Sequence, residues 1–121
     1  AAMAHIMLPD SRDAKEVPKP GKFADTAVPL LLEHLKNLGA VKGQLKAKMA
    51  GGAQMFNIPG KDNSLLAVGS RNVEATTAML AKHGVPLVAS DVGGNKGRSV
   101  EFNTETWKLL VKTLGTGSQE L

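Results

Sequence analysis

The chain has 121 residues, 42% hydrophobic and 21% charged, with no Cys, which suits one domain with a real core and argues against disorder, disulfides, thiolate metal sites and a sulfur nucleophile within these residues. No apolar run approaches the roughly 18 residues that cross a bilayer, and the first segment lacks the basic n-region of a signal peptide, so membrane insertion is not expected. The 15 basic and 11 acidic side chains leave a net charge of +4, scattered from Arg12 to Lys112 with only 3% aromatic residues, a poor fit to nucleic acid and a better one to a solvated basic surface.

Residues 1–8, Ala1-Ala2-Met3-Ala4-His5-Ile6-Met7-Leu8, have strand length and run into the turn Pro9-Asp10-Ser11. Period two puts Met3, His5 and Met7 on one face and Ala4, Ile6 and Leu8 on the other. Both faces are largely apolar, as in an inner strand, so the His5 imidazole should be largely shielded. An inner strand at residue 1 needs neighbours from elsewhere. The sequence is therefore read as N-terminally truncated, with an exposed strand edge through which a dimer could form.

Residues 11–23 are polar, carry Pro18, Pro20 and Gly21, and read as a loop. Asp25 or Thr26 is expected to cap a helix that tolerates Pro29 near its first turn. Leu31, Leu32, Leu35 and Leu38 recur at helical spacing, and Gly39 supplies a left-handed stop. Leu45–Met49 alternates as a strand with Lys46 and Lys48 on one face, ended by Gly51-Gly52. Residues 53–63 read as a loop and Leu65–Val68 as a short buried strand. A second helix should start at a Ser70 or Asn72 cap, bury Val73, Thr76 or Thr77, and Leu80, and stop at Gly84 and Pro86. A strand over 85–89 leads into the loop Asp91-Val92-Gly93-Gly94-Asn95-Lys96-Gly97. Val100 and Phe102, then Trp107, Leu109 and Val111, alternate across a hairpin. Residues 1–114 read as a single α/β domain, and 115–121, with Gly115-Thr116-Gly117-Ser118, as a flexible tail.

Few motifs carry chemistry. Gly60-Lys61 lacks the upstream glycine and the following Ser or Thr of a phosphate loop, and Gly93, Gly94 and Gly97 miss the dinucleotide spacing, so no cofactor is expected. His5, His34 and His83 include no i,i+4 pair, which leaves no metal site. His83 suits a helix C-terminus, and His34 reads as a surface helix residue. His5 reads either as a hydrogen-bonded core histidine or as the general base. Gly51-Gly52 and Gly93-Gly94 each follow a strand. They read either as tight turns or, with Asn95, as loops lining a substrate site.

Five ordered blocks then make a resemblance. Ala4-His5-Ile6-Met7-Leu8-Pro9, Lys22 through Leu32, Ala47 through Met55, Val68-Gly69-Ser70-Arg71-Asn72-Val73 and Asp91 through Arg98 resemble the chemoreceptor glutamine deamidase family, CheD. Ser70 stands where the family often has an acidic residue. The resemblance implies a cytoplasmic bacterial chemotaxis protein that converts glutamines of methyl-accepting chemotaxis receptors to glutamates, binds a CheC-type phosphatase and, in some members, hydrolyses receptor methyl esters. It implies a layered α/β sandwich with mixed β-sheets, similar to the deamidating-toxin-like cysteine hydrolases. Catalysis in the family uses a Cys, a His and a Thr. The His falls on His5, while the Cys and Thr belong upstream of Ala1. By itself the 121-residue chain is expected to be inactive, and the alternative is a non-catalytic adaptor for receptors or CheC.

Overall fold

The computed structural model describes residues 1–55, Pro59 and 67–121. Helix α1 spans Ala24–Asn37 and buries Ala24, Ala27 and Val28 beside Phe23. Its start differs from the sequence reading, because neither Asp25 nor Thr26 is the cap. A 3-10 turn over Pro20–Lys22 feeds the chain into the helix with Phe23 at the N-cap, so both residues fall inside the first turn. There Asp25 accepts from the Ser11 N–H (2.9 Å) and hydroxyl (2.6 Å), while the Thr26 hydroxyl donates to the Pro20 carbonyl (2.6 Å). Both side chains hold the preceding loop. Pro29 lies inside the helix, just past its first turn. At the other end Gly39, at φ +91°, reverses the chain, and the Ala40 N–H closes on the Leu35 carbonyl at 2.9 Å.

Strands β1 (Ala47–Gly51) and β2 (Leu87–Val92) pair in parallel, with Ala47 opposite Leu87 and Gly51 opposite Val92. The chain between them includes α2, Val68–Lys82. Of the strand expected at 65–68, Leu65 and Leu66 lie outside the described residues, and Val68 is the first residue of α2 instead. The Ser70 hydroxyl donates back to the Ala67 carbonyl at 3.0 Å, so it does not cap the helix from outside. Thr76 and Leu80 are buried, the inward stripe the spacing implies.

Strands β3 (Arg98–Phe102) and β4 (Leu109–Thr113) form the expected hairpin, with Val100 opposite Val111 and Phe102 opposite Leu109. Its turn is built by Asn103, whose side-chain oxygen accepts from the Glu105 and Thr106 N–H groups at 2.8 and 3.0 Å. The expected flexible tail is instead strand β5, Gly117–Glu120, antiparallel to β4. Gly115 (φ +70°) and Gly117 (φ +117°) supply a tight return, and a Lys108–Glu120 ion pair of 3.0 Å stitches the edge. A composition that reads as a linker is here a turn followed by a strand.

The N-terminal segment also departs from expectation. Residues 1–7 form no strand, and Leu8 makes one parallel bridge to Phe23. The Met7 and Leu8 N–H groups both donate to the Lys22 carbonyl, and Ala24 N–H donates to the Leu8 carbonyl. Among the described residues these are the segment's backbone partners, too few for a ladder covered on both sides. Met3, His5 and Met7 are accordingly exposed rather than shielded. The result is a mixed α/β fold with one parallel and one antiparallel sheet. Lys48 of β1 bridges the two sheets, donating from Nζ to the carbonyls of Trp107 and Leu121. No helix among the described residues is long and apolar enough to cross a membrane.

Candidate functional site

His5 borders an open groove of about 480 Å³ between the N-terminal segment and α1. The helix side of this groove is Ala27, Leu30, Leu31, His34 and Leu38, one face repeating at steps of three and four. His34 therefore shares the groove with His5, and both imidazoles are exposed. The sequence reading took His34 as a surface residue. Its position on the Ala27–Leu31–Leu38 stripe gives the helix face it occupies, and the fold sets the N-terminal segment against that face. Within these residues His5 is exposed, on a segment whose one strand bridge is Leu8 to Phe23. An exposed imidazole beside an apolar groove can exchange protons with solvent and with a bound side chain.

The two glycine pairs meet at the C-terminal ends of the parallel strands, where open α/β sheets commonly place ligands. The Gly93 N–H donates to the Gly51 carbonyl and the Gln54 N–H to the Gly94 carbonyl, each at 2.9 Å. Gly51, Gly52, Gly93 and Gly94 all have positive φ, from +66° to +117°. Gly52 has a second constraint, since a Cβ there would stand 2.9 Å from the Gly69 carbonyl oxygen of α2. Asn95 is exposed in the following loop. None of these five residues lines the groove that His5 borders. The structure thus brings the glycine pairs together and leaves His5 with α1.

Two residues passed over as site candidates organise this end of the sheet. Arg98 of β3 and Asp91 of β2 form an ion pair of 2.9 Å in which both side chains are largely buried. The Asp91 carboxyl is held below its ordinary value, first by the Arg98 hydrogen bonds and further by the Gln119 amide, against the opposing effect of burial. Near the N-terminal segment, half-buried Asp10 is lowered to about 2 by its hydrogen bonds from Arg12. Among the described residues no three His, Asp or Glu side chains gather as a metal site would require.

The profile of a family described as CheD chemotactic sensory transduction matches residues 7–113. This span takes in α1, both parallel strands, the two glycine pairs and Arg98, and begins two residues after His5. The chain is 47% identical over 119 residues to a probable chemoreceptor glutamine deamidase CheD of Clostridium botulinum strain Hall, an alignment covering 98% of this chain and 73% of the relative. It is likewise 47% identical over 115 residues to the probable chemoreceptor glutamine deamidase CheD of Clostridium novyi strain NT, covering 95% and 70%. With the profile spanning most of the chain and two such relatives aligned nearly end to end with it, the chain belongs to the CheD family.

Proposed function

We propose that the protein is a protein-glutamine deamidase acting on bacterial chemoreceptors, releasing ammonia as Gln becomes Glu. The observation that carries this reading is the 47% identity to proteins named as chemoreceptor glutamine deamidases over 98% of the chain. The nucleophile is a cysteine from outside these 121 residues, and His5 is its partner. Its thiolate sulfur attacks the carboxamide carbon, and the oxyanion that forms needs nearby hydrogen-bond donors. Collapse breaks the C–N bond, with the His5 imidazolium protonating the departing nitrogen to give ammonia and a thioester. His5, now neutral, takes a proton from water as the water oxygen attacks the thioester. The C–S bond breaks, the thiolate re-forms and Glu remains. Gly51, Gly52, Gly93, Gly94 and Asn95 are the substrate-binding loops in this reading.

The finer expectations follow from the same reading. The architecture is that of the deamidating-toxin-like cysteine hydrolases, the location cytoplasmic, and the partners are methyl-accepting receptors and a CheC-type phosphatase. Self-association through the N-terminal segment is supported by Met3 and Met7, which are 59% and 53% exposed. The test is His5→Ala in the full-length protein, with ammonia release and the Gln-to-Glu mass change in receptor read together. The rate should fall about 10²–10⁴-fold. Undiminished deamidation by this variant would remove His5 from the mechanism.

A further inference from the structure

One guanidinium gathers the ends of both parallel strands. Arg98, its side chain 10% exposed, donates from Nε and Nη2 to Asp91 Oδ1 at 3.2 and 2.9 Å. Its Nη1 donates to the Gly93 carbonyl at 2.9 Å and to the Gly51 carbonyl at 3.4 Å. The second Asp91 oxygen accepts from Gln119 Nε2 of β5 at 2.8 Å, so the carboxylate that holds Arg98 is itself held. Residues from β1, β2 and the loop after β2 thus converge on this β3 side chain, and β5 reaches it through Asp91.

The glycine backbone gives this convergence a purpose. Four glycines at positive φ make a segment whose carbonyl directions are not set by local sterics, because glycine adopts either sign of φ at little cost. The Gly51 carbonyl accepts from both Gly93 N–H and Arg98 Nη1, which ties the two loops to each other and to β3. The planar fork spreads five N–H donors over three nitrogens, so it meets the carboxylate and the two carbonyls from separate atoms. A lysine ammonium supplies its donors from a single point.

We propose that Arg98, held by Asp91, is a positioning residue for substrate binding, fixing the Gly51-Gly52 and Gly93-Gly94 loops through their carbonyls without touching a reacting atom. The proposal rests on the reading that these loops bind substrate in a deamidase. Arg98→Lys is the decisive variant, because it retains a cation beside Asp91 and gives up the fork. In the full-length protein, steady-state ammonia release from receptor should show KM raised about tenfold with kcat within about threefold of wild type. Amide hydrogen exchange at residues 51–54 and 93–95 should quicken while α1 keeps its protection. Arg98→Gln should extend both effects, and if it fails to fold, Arg98→Lys alone decides.

An Arg98→Lys enzyme with wild-type KM overturns the proposal, and so does unchanged exchange at the two loops. Equal losses in kcat and in unfolding midpoint, with KM unmoved, would mark a purely structural role and overturn it as well. If wild-type protein deamidates no receptor glutamine, the deamidase reading itself fails and takes the substrate role of Arg98 with it. That failure is read in the wild type, so it cannot be confused with a failure of the variant.

Discussion

Gly69→Ala is the perturbation in which local propensity and tertiary packing give opposite answers. Gly69 is the second residue of α2 and has no left-handed φ, so by propensity alone alanine should stabilise the helix by about 1 kcal/mol. The neighbours reverse the sign. A Cβ at Gly69 would lie 2.7 Å from the Gly52 carbonyl carbon and 2.8 Å from the Ala53 carbonyl oxygen. These are backbone atoms with no rotamer to yield, so α2 and the segment just after β1 must move apart. Overpacking of this kind costs about 1–3 kcal/mol, and with so stiff an obstacle the upper part of that range applies. Subtracting the helix gain leaves a net loss of about 1–2 kcal/mol, or about 4–8 °C in Tm for a chain of this size. Urea denaturation with a fitted m-value reads it, with Gly21→Ala as control, since a Cβ there meets nothing within 4 Å. The control should stay within about 0.5 kcal/mol of wild type. A Gly69→Ala protein as stable as wild type, with m unchanged, would mean that α2 does not seat against Gly52, and the packing account would be wrong.

Two further outcomes follow from named contacts. Asp91 is lowered in the folded state, chiefly by Arg98, so its ion pair contributes stability that is present above the unfolded carboxylate value near 4 and fades as pH falls through the lower folded value. Asp91→Asn should therefore be less stable than wild type at pH 7, with the gap narrowing below about pH 4, as chemical denaturation across that range would measure. A gap that widens with acid would contradict the sign. Trp107 holds φ +60° while 61% exposed and pairs with Phe102 at a ring-centroid distance of 6.2 Å. Trp107→Gly relieves about 1–2 kcal/mol of left-handed strain and loses about 0.5–1.5 kcal/mol of aromatic contact, so its unfolding midpoint should stay close to wild type.

Much of the fold was legible because it follows from short-range chemistry. The leucine spacing in α1, the stop at Gly39, the Val73–Leu80 stripe of α2 and the Val100–Val111 hairpin are patterns of about a dozen residues or fewer. Backbone geometry alone makes such patterns into elements. The family was legible too, because ordered blocks such as Asp91 through Arg98 persist as sequence whatever the tertiary contacts are. Residues 1–8 and 115–121 were misread for a shared reason. Whether an alternating or glycine-rich segment becomes a strand depends on a partner edge, and the partner is chosen by long-range packing. Leu8 found only Phe23, whereas Gly117–Glu120 found the whole edge of β4.

The site divides in the same way. Sequence singled out His5 and the two glycine pairs, because a lone imidazole and paired glycines are chemically unusual wherever they occur. Only the tertiary structure could set His34 across the groove from His5, press Gly69 against Gly52, and bring Arg98 to the carbonyls of Gly51 and Gly93. Gly51 and Arg98 are 47 positions apart in the chain, and no local pattern spans that distance. Sequence by itself determined the elements set by local pattern, α1, α2 and the β3–β4 hairpin, and the family to which the chain belongs. Their assembly alone decided which side chains share a space, since that depends on contacts formed only when β1, α2, β2 and the hairpin are packed together.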